Sequence, residues 1–538
     1  MTGDGKKILM CSENTKGLWI VVLFCFFAAL VSFMIARNCP INDFREAQVA
    51  STSEIFAKEG IHLFYPKLNV MGDPGYFVLE FPAYQALAGL LWNIFGWGEL
   101  WGKILSHLFW SLAAVYLYIL CLLFADRRLS LVTVFLFLFS PIALLNANAV
   151  GLESFSVFLS IAFLYYGARW ILNKRPVFFI VTLLISVLGF LVKLPNIAPL
   201  YLALIFLKID KEKTGWKTFV SPDILLWGAV SLIPAILWQR HADAVNSAYP
   251  ASAWYTNSQL RDWYFGTIWQ KLNPKFFMIN FSKALENALG SFPAGVFILI
   301  GLFSAKKYRF FLGYLLSYVA AYFVFTNLHY THLHYMIPFL APQVFFAAIG
   351  ILACWDGLRF PEVKIGHRQL KSGFLRAILV FFGAVGVMCW NSLYLDMRGF
   401  IYNDYDVAEQ AQLVREYVPA DARVVMYWAS GGSRGTWNPV LMYLSHRRGV
   451  TVYLDDLEAS ELHSLLKQTG ADYLVLAGES IRYIYVGGKQ SNRTFKDKVY
   501  SKEFSLDNFK LDLPSSVEQK LSILKPVYKS DRLRIYTL

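Results

Sequence analysis

The chain has 538 residues, is 56% hydrophobic and has a positive mean hydropathy of +0.44, a composition far from that of a soluble domain. Its net charge of +13 is spread over short breaks between apolar blocks, which orients a chain against anionic lipid and argues against a nucleic-acid partner. Six cysteines without a CxxC pair indicate neither a zinc site nor a disulfide framework, and only Cys39 is placed to face an oxidising side.

The first apolar block, Gly17–Ala36, carries no charge and is long enough to cross the hydrocarbon core as a helix. Lys6, Lys7 and Lys16 precede it. The block is longer than a signal-peptide core and no small-x-small site precedes RNCP, so it reads as an uncleaved first span. Next comes a long break, 37–102, with Asp43, Arg45, Glu46, Lys67, Asp73 and Glu80; Lys103 follows at the start of the next block.

From there basic breaks alternate with breaks poor in Lys and Arg. Arg127 and Arg128, then Arg169, Lys174 and Arg175, then Lys208 to Lys217, Lys306 to Arg309 and Arg359 to Arg376 form the basic set. Placing these and the N-terminus on the cytoplasmic side predicts about eleven spans, with the C-terminus outside. The outward breaks are then 37–102, 146–153, 193–196, 240–287 and 327–335. The weakest expected pair is Val177–Val192 and Leu194–Leu207, short halves with Pro195 and Pro199 in the second.

After a last span at 377–395, the segment 396–538 changes character. ARVVMYW, VTVYLDD and ADYLVLAG read as strands. NPVLMYLSHRRG and SELHSLLKQTG read as helices that close on glycine. The alternation predicts a small extracytoplasmic α/β domain with a parallel sheet, beyond a transmembrane domain of residues 1–395.

Under this topology the ionisable residues near the membrane gather on the outer side. Glu153 is the only acid between two long apolar runs, Lys193 ends a span, and His329, His332, His334 and Tyr335 share one turn. Such residues are expensive at a membrane and mark candidate sites. Each also has a plain reading: loop acids as solvated surface, Glu153 as a helix-terminal acid, Lys193 as a snorkelling side chain, and the histidines as interfacial rings. His332 and His334 lack the i, i+4 spacing of a helical zinc pair.

An enzyme on that side has no nucleotide sugar or ATP to draw on and must take an activated group carried in the membrane, such as a sugar on a lipid phosphate. Displacing the phosphate from the anomeric carbon needs a carboxylate to accept the attacking hydroxyl's proton. It also needs cations or a metal where charge develops on the phosphate. Asp43 or Glu46 suits the first role; Arg45, Lys67, Lys103 or Lys193 suits the second. The oxygen ligands of Asp43, Glu46 and Glu153 also suit Mg or Mn.

The segments FREAQVA, GIHLFYP, EFPAYQ and GELWGKILS resemble the first outer loop of bacterial GT-C membrane glycosyltransferases. These are relatives of the dolichyl-phosphate-mannose-protein mannosyltransferases and the aminoarabinose transferases. HLHYMIPF and YLSHRRG resemble later segments of the same class. The resemblance implies a GT-C fold, a polyprenyl-phosphate sugar donor and inversion at the anomeric carbon in a bacterial inner membrane. In this reading Glu80, Glu153, His332, His334 and Tyr335 shape the sugar and acceptor pocket, and some relatives hold a metal between these loops. The chain departs from the class pattern at Arg45 and Gln48, where relatives carry acids, so Asp43 and Glu46 compete as base. The second-turn acid, often Asp in the class, is Glu153.

Two other classes fit less well. A lipid-linked glycan flippase should carry ionisable groups along its spans and an internal repeat; the spans here are nearly free of charge and show no repeat. In a non-catalytic envelope scaffold the C-terminal domain would matter most, and catalytic-loop variants would keep full function. The acceptor, whether lipid, glycan or protein hydroxyl, and the sugar are left open.

Overall fold

The computed structural model describes residues 3–35, 41, 44–96, 98–213, 215–290, 295–357, 363–365, 368–370, most of 379–391, 405–430, 437–459, 466, 469–479, 511 and 513–538. Asp43 and Cys39, and most of the expected last span, lie outside the described residues. The chain divides into two compact units. The larger is Met1–Arg37, Leu79–Ala244 and Tyr255–Ile401; the smaller is Asn38–Val78, Val245–Trp254 and Tyr402–Leu538.

The larger unit is helical, apart from a hairpin of β1 (Val363–Ile365) and β2 (Arg368–Leu370). Among the described residues six helices are long and apolar enough to cross a membrane: Thr15–Met34, Glu99–Cys121, Leu152–Asn173, Pro176–Glu212, Pro222–Ser247 and His334–Gly357. A seventh arises if Arg127–Leu138 and Pro141–Ala147, bent by 61°, count as one. That bend has a local cause. Ser140 Oγ donates back to the Phe137 carbonyl at 3.1 Å and caps the next helix, accepting from the Ala143 amide, while Pro141 supplies the first helical position.

Helices in this unit meet closely where side chains are small. A Cβ at Gly301 would lie 1.9 Å from the Phe346 carbonyl oxygen, and one at Gly350 would lie 2.0 Å from that of Phe297. The helices Gly295–Leu302 and Leu340–Gly357 thus touch backbone to backbone at two reciprocal glycines, a packing available only to small residues. At another corner, Lys208 pairs with Asp223, which also accepts from Trp170 Nε1 at 2.9 Å. This ties Leu152–Asn173, Tyr201–Glu212 and Pro222–Ser247 together.

The smaller unit is built on a five-stranded sheet, ordered β4-β3-β5-β7-β6. Its strands are β3 (Arg423–Ser430), β4 (Arg448–Val452), β5 (Tyr473–Glu479), β6 (Lys525–Lys529) and β7 (Leu533–Thr537). β4, β3 and β5 run parallel, where strands were read from the sequence. β7 and β6 add an antiparallel hairpin, so the sheet is mixed rather than parallel throughout. Val425, Tyr427, Leu457, Leu474, Leu476, Val517, Leu521 and Tyr536 form its core. The helix Val440–Ser445 closes on His446 in the left-handed region (φ 55) instead of on a glycine. The second expected helix lies largely outside the described residues.

Residues 69–72 run along the outer edge of β4. Gly449 N donates to Asn69 O at 2.9 Å, Gly72 N to Gly449 O at 2.7 Å, and Thr451 N to Val70 O at 3.3 Å. An exposed sheet edge is thereby covered. The end of the same segment is locked by Asn246, whose side-chain amide both accepts from Val78 N (2.9 Å) and donates to Val78 O (2.7 Å).

Candidate functional site

In the larger unit the site grows from a break in a helix. Pro195 has no amide hydrogen to give the carbonyl four residues earlier, and the freed Leu191 oxygen accepts from Phe81 N at 3.0 Å. Just before the proline, Lys193 leaves helical geometry (φ −161, ψ 76). Its ammonium donates to Glu153 Oε1 at 2.8 Å, and the two side chains are only 5% and 7% exposed. Glu153 lies in the first turn of Leu152–Asn173, where an acid also complements the helix dipole. Three residues further along both segments, Asn196 Nδ2 donates to Ser156 Oγ at 2.8 Å, a second rung between the same helices.

The histidine turn closes over this pair. Lys193 Nζ lies 4.5 Å from the centroid of Tyr335, within cation–π range. The Tyr335 ring is 4.7 Å from His334 and 6.1 Å from His332, and those two imidazoles stack at 5.0 Å. Trp263 meets His332 edge-on at 5.5 Å. His329 stands on the far end of the turn, 1% exposed, against Tyr318, Tyr335 and Phe339. Among the described residues neither of its ring nitrogens has a hydrogen-bond partner. Burial, with a smaller push from Lys193, pulls its pKa down to about 3, so the ring stays neutral at physiological pH.

Five residues singled out from the sequence therefore meet here: Glu153, Lys193, His332, His334 and Tyr335. Two other candidates lie in this unit. Glu80 accepts from Gln85 Nε2 at 3.1 Å. Lys103 is half-buried on Glu99–Cys121 and makes no hydrogen bond or ion pair among the described residues. His329, Trp263 and the Asn196–Ser156 rung complete the cluster. His329 was named with its turn from the sequence, whereas Trp263, Asn196 and Ser156 were not singled out there.

The remaining candidates belong to the smaller unit, on the helix Phe44–Glu59 and the segment after it. Glu46 is half-buried in the first turn. Arg45 Nη1 donates to Gln48 Oε1 at 2.6 Å, so the amide that stands in place of an acid is held by the arginine beside it. Lys67 pairs with Glu59 at 2.9 Å, and Glu59 also takes Arg448. Burial raises the Glu54 pKa, but hydrogen bonds from His446 and Lys58 more than offset it and hold the carboxyl below the usual range.

Among the described residues no group of three His, Cys, Asp or Glu side chains is placed to hold a metal ion. Glu153, one of the three ligands expected for Mg or Mn, pairs through Oε1 with Lys193, and Asp43, another, lies outside the described residues.

No protein-family model matches the sequence, and no curated protein matches it. Solved structures do. ArnT from Cupriavidus metallidurans bound to undecaprenyl phosphate is similar with a TM-score of 0.61 at 12% identity, over 96% of this chain and 97% of that one. Its apo state is similar with a TM-score of 0.57 over the same shares. The archaeal oligosaccharyltransferase AglB from Archaeoglobus fulgidus, in complex with an inhibitory peptide and a dolichol-phosphate, reaches 0.52 at 13% identity, over 86% and 70%. At such identities the likeness is one of fold. The chain has the GT-C membrane fold, and the resemblance read from its motifs holds at that level.

Proposed function

We propose that the chain is an integral-membrane glycosyltransferase that moves a sugar from a polyprenyl-phosphate donor onto an acceptor hydroxyl of a lipid, glycan or protein. The reading rests above all on the end-to-end likeness to ArnT bound to undecaprenyl phosphate; it is an argument from fold, supported by the chemistry of the cluster around Lys193. On this reading the protein lies in a bacterial inner membrane with about eleven spans, N-terminus inside and C-terminal residues outside, as the basic breaks favour.

Transfer proceeds by inversion. The acceptor hydroxyl attacks the anomeric carbon as Glu46 or Asp43 takes its proton. The bond to the phosphate oxygen breaks, and cationic side chains stabilise the charge left there. Lys193 is the foremost of these, because its ammonium carries three donors and stands beside the aromatic ring of Tyr335. Arg45, Lys67 and Lys103 are the other candidates for this role. Tyr335, His332 and His334 give a polar aromatic wall suited to sugar hydroxyls, with Glu80 and Glu153 as acceptors.

The test is a transfer assay on reconstituted protein with labelled polyprenyl-phosphate sugars and envelope extract as acceptor. The reading expects labelled product of inverted anomeric configuration and free polyprenyl phosphate in equal amount. Retention of configuration, or release of sugar to water alone, contradicts it.

A further inference from the structure

The helix Phe44–Glu59 carries Arg45 and Glu46, and C-terminal residues hold it at both ends. At its start, Trp437 meets Phe44 edge-on with ring centroids 4.3 Å apart, and it also lies 5.2 Å from Phe77. At its end, Glu59 takes Arg448 as well as Lys67, and Glu54 faces His446 Nδ1 at 3.4 Å. Just beyond, residues 69–72 hydrogen-bond along β4. Between these ends Ala47 to Phe56 are all buried, although Gln48, Ser51, Thr52, Ser53 and Glu54 are polar. A polar helix buried on every side is no solvated loop; its position is set by what packs around it.

We infer that the C-terminal sheet and its flanking residues are a positioning platform for this helix, and that Trp437 is a positioning residue that sets where Arg45 and Glu46 stand. What those two residues do rests on the transferase reading above. Phe44 is the residue before Arg45, so a shift of its ring passes to both side chains through one turn of rigid helix. Edge-to-face aromatic contacts have a preferred geometry, which a phenylalanine can keep and an alanine cannot. Misplacing a reacting group by about 1 Å lowers turnover by up to roughly 100-fold. A platform that instead gripped the acceptor would act on KM.

The experiment compares Trp437→Ala and Trp437→Phe in the full-length protein, with kcat, donor KM and amide hydrogen exchange over 44–59. The expected result for Trp437→Ala is a kcat lower by about 10- to 100-fold, with donor KM near wild type and faster exchange in 44–59; Trp437→Phe restores most of both. Unchanged kcat, or a change confined to KM, overturns the inference. Exchange needs no turnover, so it decides the platform even if wild-type protein transfers no sugar, an outcome that removes the transferase reading by itself. Should Trp437→Ala fail to fold, Arg448→Met, at a half-exposed side chain, serves in its place. It should speed exchange at the Glu59 end of the helix, and unaltered exchange there equally overturns the platform.

Discussion

Lys193 and Glu153, forty residues apart in sequence, meet at 2.8 Å with almost no access to solvent. Removing one partner of a buried pair leaves an uncompensated charge, at a cost of about 3–5 kcal/mol. Lys193→Met should therefore lower the melting temperature markedly. Adding Glu153→Leu should recover most of that stability, since an apolar pair of similar volume is often neutral. If Lys193 is the cation that holds the phosphate, the double variant stays without turnover. Recovery of turnover together with stability would make the pair purely structural.

Glu46→Gln and Asp43→Asn separate the two candidate bases. The true base should lose about 100- to 10,000-fold in kcat while the protein still folds and still binds donor. The other variant should retain measurable turnover. Full activity in both removes a carboxylate base from this loop.

His329 makes stability pH-dependent with a definite sign. Its folded pKa is about 3, whereas an unfolded histidine titrates near about 6.5. Between these values the unfolded chain binds a proton that the folded one refuses, so stability falls as pH drops from about 6.5 towards 3. Melting curves in detergent at pH 7.5 and pH 5 should show the drop, and His329→Phe should shrink it. An equal drop in the variant would assign the effect to other groups.

Asp43, Glu46 and Glu153 offer oxygen ligands that suit Mg or Mn, and Glu153 also takes Lys193 on one oxygen. If a cation assists transfer, exhaustive chelation should abolish turnover and Mn or Mg should restore it. Turnover that survives chelation removes the metal.

Much of the site in the larger unit was legible in one sequence because its signals are local. A lone acid between apolar runs marked Glu153, a proline two residues on marked the break at Lys193, and three histidines beside Tyr335 marked the turn that closes over them. Parallel strands β3, β4 and β5 were equally plain as short β-branched runs. The contacts that hold Phe44–Glu59 were not. Arg448 and Glu59 are 389 residues apart, and nothing in the local pattern around Trp437 says that it will face Phe44. The burial of Ser51 to Glu54 was hidden for the same reason: polar residues read as a solvated face until the residues that cover them are known. The span count is the other weak point, because bent helices such as Pro176–Glu212 do not divide at hydropathy minima alone.

The central claim is that the chain takes its activated sugar from polyprenyl phosphate. It is tested most directly by melting the purified protein with a panel of polyprenyl-phosphate sugars, bare polyprenyl phosphate and a neutral polyprenol. Ligand at about a hundred times its dissociation constant should stabilise the protein by roughly 2.7 kcal/mol. The account predicts a rise in Tm with the phosphorylated lipids, largest for one sugar, none with polyprenol, and loss of the rise in Lys193→Met. Equal Tm values across the whole panel would contradict it.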